Sequence, residues 1–236
     1  MATGSSSLSA RAVALLAGTA LAVSAVPALA AAPSVDTMVV ARSGATFGPR
    51  VVRAATAHIN RCTVPAGTPL AALGWLHRAG GPAFFARGDC SALYVFQVGR
   101  DRAAGRAGWV YKVGHRLGTT AAGDPSGPFG NGRLRSGQHV VWFWCVAAGR
   151  CQRTLELVRA PGRVRAGARV RVRVRACDDN GRGAPARGVT VTLGGSRATT
   201  GADGSAVLRA PRRGRPLLRA ARRGLISAFP AQVVIG

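Results

Sequence analysis

A chain of 236 residues with 47% hydrophobic content is long enough for one large domain or two small ones and apolar enough to bury cores, which excludes disorder as the default state. Its formal charge of +25 comes from 33 Lys+Arg against 8 Asp+Glu, with Lys112 the single lysine and Glu156 the single glutamate, so paired acids for glycan cleavage are not expected. Two readings of the basic excess stay open: attraction to anionic polymers or lipid, or a GC-rich coding bias that favours Arg, Ala and Gly without selection for binding.

Residues 1–31 carry one charge, Arg11, then an apolar run from Ala12 to Val26, Pro27 and the small-residue triplet Ala28-Leu29-Ala30. This pattern predicts a secretory signal peptide cut near Ala30. An uncleaved anchor has the right length, about 20 residues, but the proline and the small residues argue against it. No later stretch is apolar enough to span a membrane, so the expected location is extracellular, either released or held at the cell surface.

Export puts the cysteines in an oxidising compartment. Cys62 and Cys90 flank a predicted helix, and Cys145 and Cys151 bracket five residues after a predicted strand, where a bridge would pin a hairpin loop. In the loop-entropy account these closures stabilise by about 3.6 and about 2.4 kcal/mol. Cys177 is left over, as a buried thiol or an intermolecular link. His58, His77, His115 and His139 lie far apart and join no paired-cysteine spacing, so no metal site is expected.

The first elements in the chain are two strands, Val35–Val40 and Arg50–Thr56, read as an opening hairpin around Ser43-Gly44. Thr68 then caps a helix with Pro69 in its first turn; Leu70, Leu73, Leu76 and His77 form its apolar stripe, and Gly80-Gly81-Pro82 ends it. Further strands are predicted at Phe84-Phe85, Ala92–Val98, Trp109–Val113, Val140–Trp144 and Arg153–Val158. Between the two Trp-bearing strands runs a loop rich in Gly and Pro, centred on Asp124-Pro125.

On the Trp-bearing strands, Trp109, Tyr111 and Val113 share one face, as do Val140, Trp142 and Trp144, while Val141, Phe143 and Cys145 share the opposite one. The rings are either packing residues or a platform for a sugar or corrinoid. The candidate ligand set is Trp109, Tyr111, Asp124, Phe129, Trp142 and Trp144. A platform requires at least one of Trp109, Trp142 and Trp144 to reach solvent, and full burial of all three excludes it.

These residues also carry a resemblance. Gly67-Thr68-Pro69-Leu70-Ala71-Ala72-Leu73, Gly108-Trp109-Val110-Tyr111 and Leu134–Trp142 resemble the transcobalamin-like C-terminal domain family over residues 35–158. Gly114-His115 stands where that family has Asn-Gly, and Gln138 where it has Asp. The resemblance implies a β-grasp fold, similar to the polysaccharide-binding SLBB domains. It also implies a surface that in transcobalamin covers one side of cobalamin together with a helical partner domain, which this chain lacks.

After Ala160-Pro161-Gly162 the pattern changes. Arg169-Val170-Arg171-Val172-Arg173-Val174-Arg175 alternates strictly, so on a strand the valines face a core and the arginines face away. Turn signals recur at Asp178–Gly181, Gly194-Gly195, Ala202–Gly204 and Arg213-Gly214, with strands Val189–Leu193 and Ala206–Leu208 between them. That spacing predicts a small sandwich over residues 163–236. The segments Gly188–Val191, Thr199–Gly204 and Leu217–Ala220 are similar to bacterial Ig-like and carboxypeptidase-regulatory domains, which usually serve as spacers or adhesion modules.

The predicted fold is therefore mainly β with one helix, a β-grasp-like domain followed by an Ig-like sandwich. The four arginines, about 6.6 Å apart, match an anionic polymer of the cell envelope or are simply a solvated face. Nucleic acid is not an expected partner, because the strand lacks interleaved aromatics. No Gly-x-Ser-x-Gly surrounds Ser126 or Ser136, and Gly127–Gly132 lacks the ending of a phosphate loop. An enzyme would need His115, Asp124 and His139 clustered in a cleft, so neither catalytic residues nor a cofactor are expected. The expected function is extracellular binding of polysaccharide or another surface ligand, with a corrinoid or small-molecule carrier as the alternative. The oligomeric state stays open.

Overall fold

The computed structural model describes Met1, residues 31–147 and residues 149–236. The signal-peptide reading falls almost wholly outside the described residues. The first half holds β1 Ser34–Val40, β2 Thr46–Arg53, β3 Ala57–Ile59, β4 Cys62–Val64, α1 Pro69–Arg78, β5 Phe84–Arg87, β6 Tyr94–Val98, β7 Asp101–Arg102, β8 Gly108–Val113, β9 Arg116–Leu117 and β10 His139–Cys145. The second holds β11 Thr154–Arg159, β12 Arg163–Val164, β13 Arg169–Cys177, β14 Gly183–Pro185, β15 Thr190–Leu193, β16 Ser196–Thr199, β17 Ser205–Arg209, β18 Leu217–Ala221, β19 Ala231–Gln232 and β20 Val234–Ile235. Among the described residues, then, the fold is mainly β with one helix. No helix among them is long and apolar enough to cross a membrane.

The main sheet runs in the order β2-β1-β10-β8-β9. Its two central strands, β1 and β10, are parallel, and every other pairing in it is antiparallel. A mixed sheet of this order crossed by one helix is the β-grasp arrangement. Thr68 caps α1 by accepting a hydrogen bond from the Ala71 amide at 3.2 Å. Leu70, Leu73 and Leu76 pack on the face that carries Val35, Val39, Val140, Trp142 and Trp144. His77 is exposed instead of joining that stripe. The predicted strand at Arg50–Thr56 lies further towards the N-terminus, as β2, and is followed by the small β3–β4 hairpin.

The second half is a sandwich. One sheet has β13 flanked by β11 on one side and by β14 and β17 on the other; the second sheet runs β16-β15-β18-β19. Val170, Val172 and Val174 meet Val191, Leu193 and Leu218 between them in a continuous core.

A third core joins the halves. Met38, Val40, Val141, Phe143 and Cys145, on the face of the main sheet away from α1, are buried with Ile226, and Phe229 packs against them. Strand β10 is thus covered on both faces, which its unbroken apolar run from Val140 to Cys145 requires. Polar contacts extend the seam. The Leu117 amide donates to the Asp179 carbonyl at 2.9 Å, and the fully buried Lys112 ammonium lies 2.9 Å from the Asp179 carboxylate.

Both expected disulfides are present, Cys62–Cys90 and Cys145–Cys151, and Cys177 is a buried free thiol. The second bridge does not pin a hairpin. β10 pairs with β1 and β8, whereas β11 pairs with β13, so the bridge ties the crossover from one sheet to the other.

Candidate functional site

The tryptophans are structural. Trp109, Trp142 and Trp144 are 7%, 1% and 3% exposed, so the expectation of a solvent-reaching ring platform is overturned. The indole N–H of Trp109 donates to the Asp101 carbonyl at 2.8 Å, and that of Trp142 to the Pro69 carbonyl at 3.3 Å. Trp109 packs edge-on against Trp144 at 5.9 Å, and Tyr111 lies 5.4 Å from Trp142. The physical reason is the position of β8 and β10 inside the sheet, where α1 covers the ring face on the β10 side and β6 packs over β8.

Ring edges do line a cleft of about 260 Å³, between Leu93-Tyr94 on one side and Trp109, Tyr111, Leu117 and Trp142 on the other. The Tyr111 hydroxyl donates to the Thr120 carbonyl at 2.9 Å, which fixes the ring across the cleft floor. Burial pushes this phenol above its usual pKa. Gly118 is essential to that placement, since a Cβ there would lie 2.1 Å from the Tyr111 ring.

The other expected ligand residues sit elsewhere. Asp124 closes its own turn, accepting the Ser126 amide at 2.8 Å and the Ser126 hydroxyl at 2.5 Å, and these bonds hold its carboxyl below the usual range. Phe129 is half-buried beneath the Arg116 guanidinium, 4.5 Å from the ring centre. Neither lines the cleft, nor does Trp144.

The arginine strand behaves as its alternation predicts, with one departure. Val170, Val172 and Val174 are buried while Arg169, Arg171 and Arg173 are exposed. Arg175 is half-buried and bonds Glu156 at 3.3 Å, so it belongs to the seam. Cross-strand register extends the exposed row: Arg159 on β11 stands opposite Arg173, and Arg209 on β17 stands opposite Arg169. Directly paired residues share a face, so Arg159, Arg169, Arg171, Arg173 and Arg209 form one cationic surface. Among the described residues none of the five is in a salt bridge. A hollow of about 470 Å³ opens beside it, lined by Gly167, Arg169, Val207, Leu208 and Arg209. Sequence alternation revealed β13 but not Arg159 or Arg209, which only strand pairing brings in.

The groups that would serve an enzyme have separate partners. His139 pairs with Asp36 at 3.3 Å and stacks on Phe229 at 4.4 Å; Asp124 bonds Ser126; His115 lies 3.8 Å from Glu156. Burial lowers the His115 pKa against the pull of Glu156. The Cys177 thiol donates to Glu156 at 3.4 Å, and burial followed by that bond pushes its pKa up to about 11. His115, Glu156 and Cys177 thus meet in the seam, although nothing in their spacing along the chain marks them.

No family model and no curated protein matches the chain. Among solved structures the chain is similar to one described as the D00-D0 domain of intimin, at 13% identity over 66% of this chain and 80% of that one, with a TM-score of 0.22.

Proposed function

We propose that this chain is an exported, non-catalytic binding protein that engages an anionic polymer of the cell envelope through the arginine face of β13. The observation that carries the reading is the row of Arg159, Arg169, Arg171, Arg173 and Arg209 on one sheet face, exposed and in no salt bridge among the described residues, although Arg173 bonds the Asp203 carbonyl and feels the Asp203 carboxylate beyond contact distance. Guanidinium groups at strand spacing suit repeating phosphates or carboxylates, each able to accept a forked pair of hydrogen bonds. The two disulfides support an oxidising, extracellular location. Kinship with the transcobalamin-like C-terminal domains is part of this proposal and rests on the motif residues and the sheet order.

The test is binding of the full chain to purified teichoic-type polyphosphate across a salt series. Affinity should fall steeply with salt, because exposed charges are screened. Replacing Arg169, Arg171 and Arg173 together by Ser should weaken binding roughly tenfold, at about 0.5 kcal/mol per exposed contact. Salt-independent binding, or an unaffected triple variant, sinks the proposal.

The cleft at Tyr111 favours a second reading, a carrier of a small apolar ring compound. At about 260 Å³ it is smaller than the pockets of about 300–1,000 Å³ that enclose drug-sized ligands, so it would not enclose a corrinoid. Native mass spectrometry of freshly purified protein tests this: a retained small molecule supports it, and a bare polypeptide mass counts against it.

A further inference from the structure

Along β13 the residues that share the arginine face are Arg169, Arg171, Arg173, Arg175 and, last, Cys177. At its start this face meets water. At its end it turns under the first half, where the hairpin between β8 and β9 sets His115 over it. Strand β11 completes the floor, with Thr154 directly opposite Cys177 and Glu156 directly opposite Arg175. One imidazole, one carboxylate and one thiol from three separate strands or turns therefore converge, with their donor atoms all within 4.8 Å of one another.

Two details set this cluster apart from an ordinary buried ion pair. The Thr154 hydroxyl, on a side chain 0% exposed and on the residue directly opposite Cys177, has no hydrogen-bond partner among the described residues. A buried polar atom left unpaired calls for an explanation, and a solvent molecule held at the open position of a neighbouring ion supplies one. The donor types are also selective, since a thiolate, an imidazole and a single carboxylate suit a borderline-soft cation with tetrahedral preference rather than calcium or magnesium.

We propose that His115, Glu156 and Cys177 form a three-ligand site for a zinc-class divalent cation, with a fourth position left to solvent. Tetrahedral bonds of about 2.0–2.3 Å place donors about 3.3–3.5 Å apart. Cys177 Sγ already lies 3.4 Å from Glu156 Oε2, His115 Nε2 lies 3.8 Å from the other oxygen, Oε1, and one donor from each residue falls within 4.8 Å of the rest, so side-chain rotation has to draw the three together to close the site. On binding, the sulfur–metal bond replaces the S–H bond and the proton leaves to solvent. The thiolate and Glu156 then balance the two positive charges. Arg175, 42% exposed, can turn outward to water, and Asp179 continues to neutralise Lys112.

The test uses the full chain with its disulfides intact, stripped with chelator and titrated with Zn²⁺ by calorimetry and with Co²⁺ by absorption spectroscopy. The expected result is one equivalent bound and a cobalt spectrum with tetrahedral bands and a thiolate charge-transfer band. Cys177→Ser should abolish that band. His115→Gln, on an accessible turn where folding is least at risk, should weaken affinity at least tenfold and can be read even if the cysteine variant does not fold. The proposal is overturned by no stoichiometric binding, by an octahedral cobalt spectrum without thiolate character, or by binding that His115→Gln leaves unchanged.

Discussion

The ammonium of Lys112 lies 2.9 Å from the carboxylate of Asp179, a contact that joins the main sheet of the first half to a turn of the second. Lys112 is the single lysine beside 32 arginines and is fully buried. A guanidinium carries five donors in a rigid fork, all of which would need partners here. The compact ammonium needs fewer, and it finds Asp179, the Gln152 carbonyl at 3.4 Å and the Phe143 ring at 5.5 Å. At this position, local chemistry outweighs whatever favours arginine elsewhere.

The two halves of this pair should respond unequally to mutation. Asp179→Ala strands a buried cation and should cost about 3–5 kcal/mol. Lys112→Met leaves the carboxylate, 33% exposed, in contact with water, and should cost less than half as much. Urea denaturation of both variants checks the order, and equal losses would show that the charge pair does not set the stability of the seam.

Trp142→Ala should destabilise by about 3–5 kcal/mol, as expected for a fully buried ring, while polymer binding per folded molecule stays constant. A loss of binding at unchanged stability would instead return the ring to a recognition role. Paired denaturation and binding curves separate the outcomes.

Gly118→Ala drives a methyl group into the Tyr111 ring and should cost about 1–3 kcal/mol. In a Tyr111→Ala background the same change should be nearly silent, because the clashing ring is gone. A double-mutant cycle with no coupling between the two sites would contradict the packing described here.

Alkaline pH should destabilise the protein through Cys177. Its folded pKa of about 11 lies above the ordinary thiol value, so the folded state holds the proton more tightly and the stabilisation is complete below about pH 8.5. Stability is lost as pH rises towards 11. Thermal melts at pH 8 to 10.5 should show a decline in the wild type that is shallower in Cys177→Ala, and parallel curves would refute the assignment. The folded protein should also resist thiol reagents at neutral pH.

Much of this architecture is visible in the chain itself, where the cause is local. The strict Arg-Val alternation gives β13 and its buried side, Thr68-Pro69 gives the start of α1, and an oxidising setting makes both disulfides readable. What depends on distant partners is hidden. Val140–Cys145 is apolar on both faces, a pattern that marks a strand covered on both sides, and it argues against the solvent-reaching ring that the neighbouring Gly/Pro loop suggested. Nothing local reveals that Cys177 meets Glu156 and His115, or that Arg159 and Arg209 widen the arginine surface, because those facts belong to strand register and to the docking of two cores.

The parallel pairing of β1 with β10 sets an order of events for a chain exported as proposed, from its N-terminus. Ser34–Val40 emerges early, yet its central partner, His139–Cys145, arrives about a hundred residues later, and Ile226, which seals the other face, later still. Until then β1 has only β2 beside it, and one of its edges is open to neighbouring chains. The intervening stretch contains the whole Cys62–Cys90 loop, which can close before β10 appears. That bridge is positioned to hold the early chain in a compact form while the sheet waits for its last central strand.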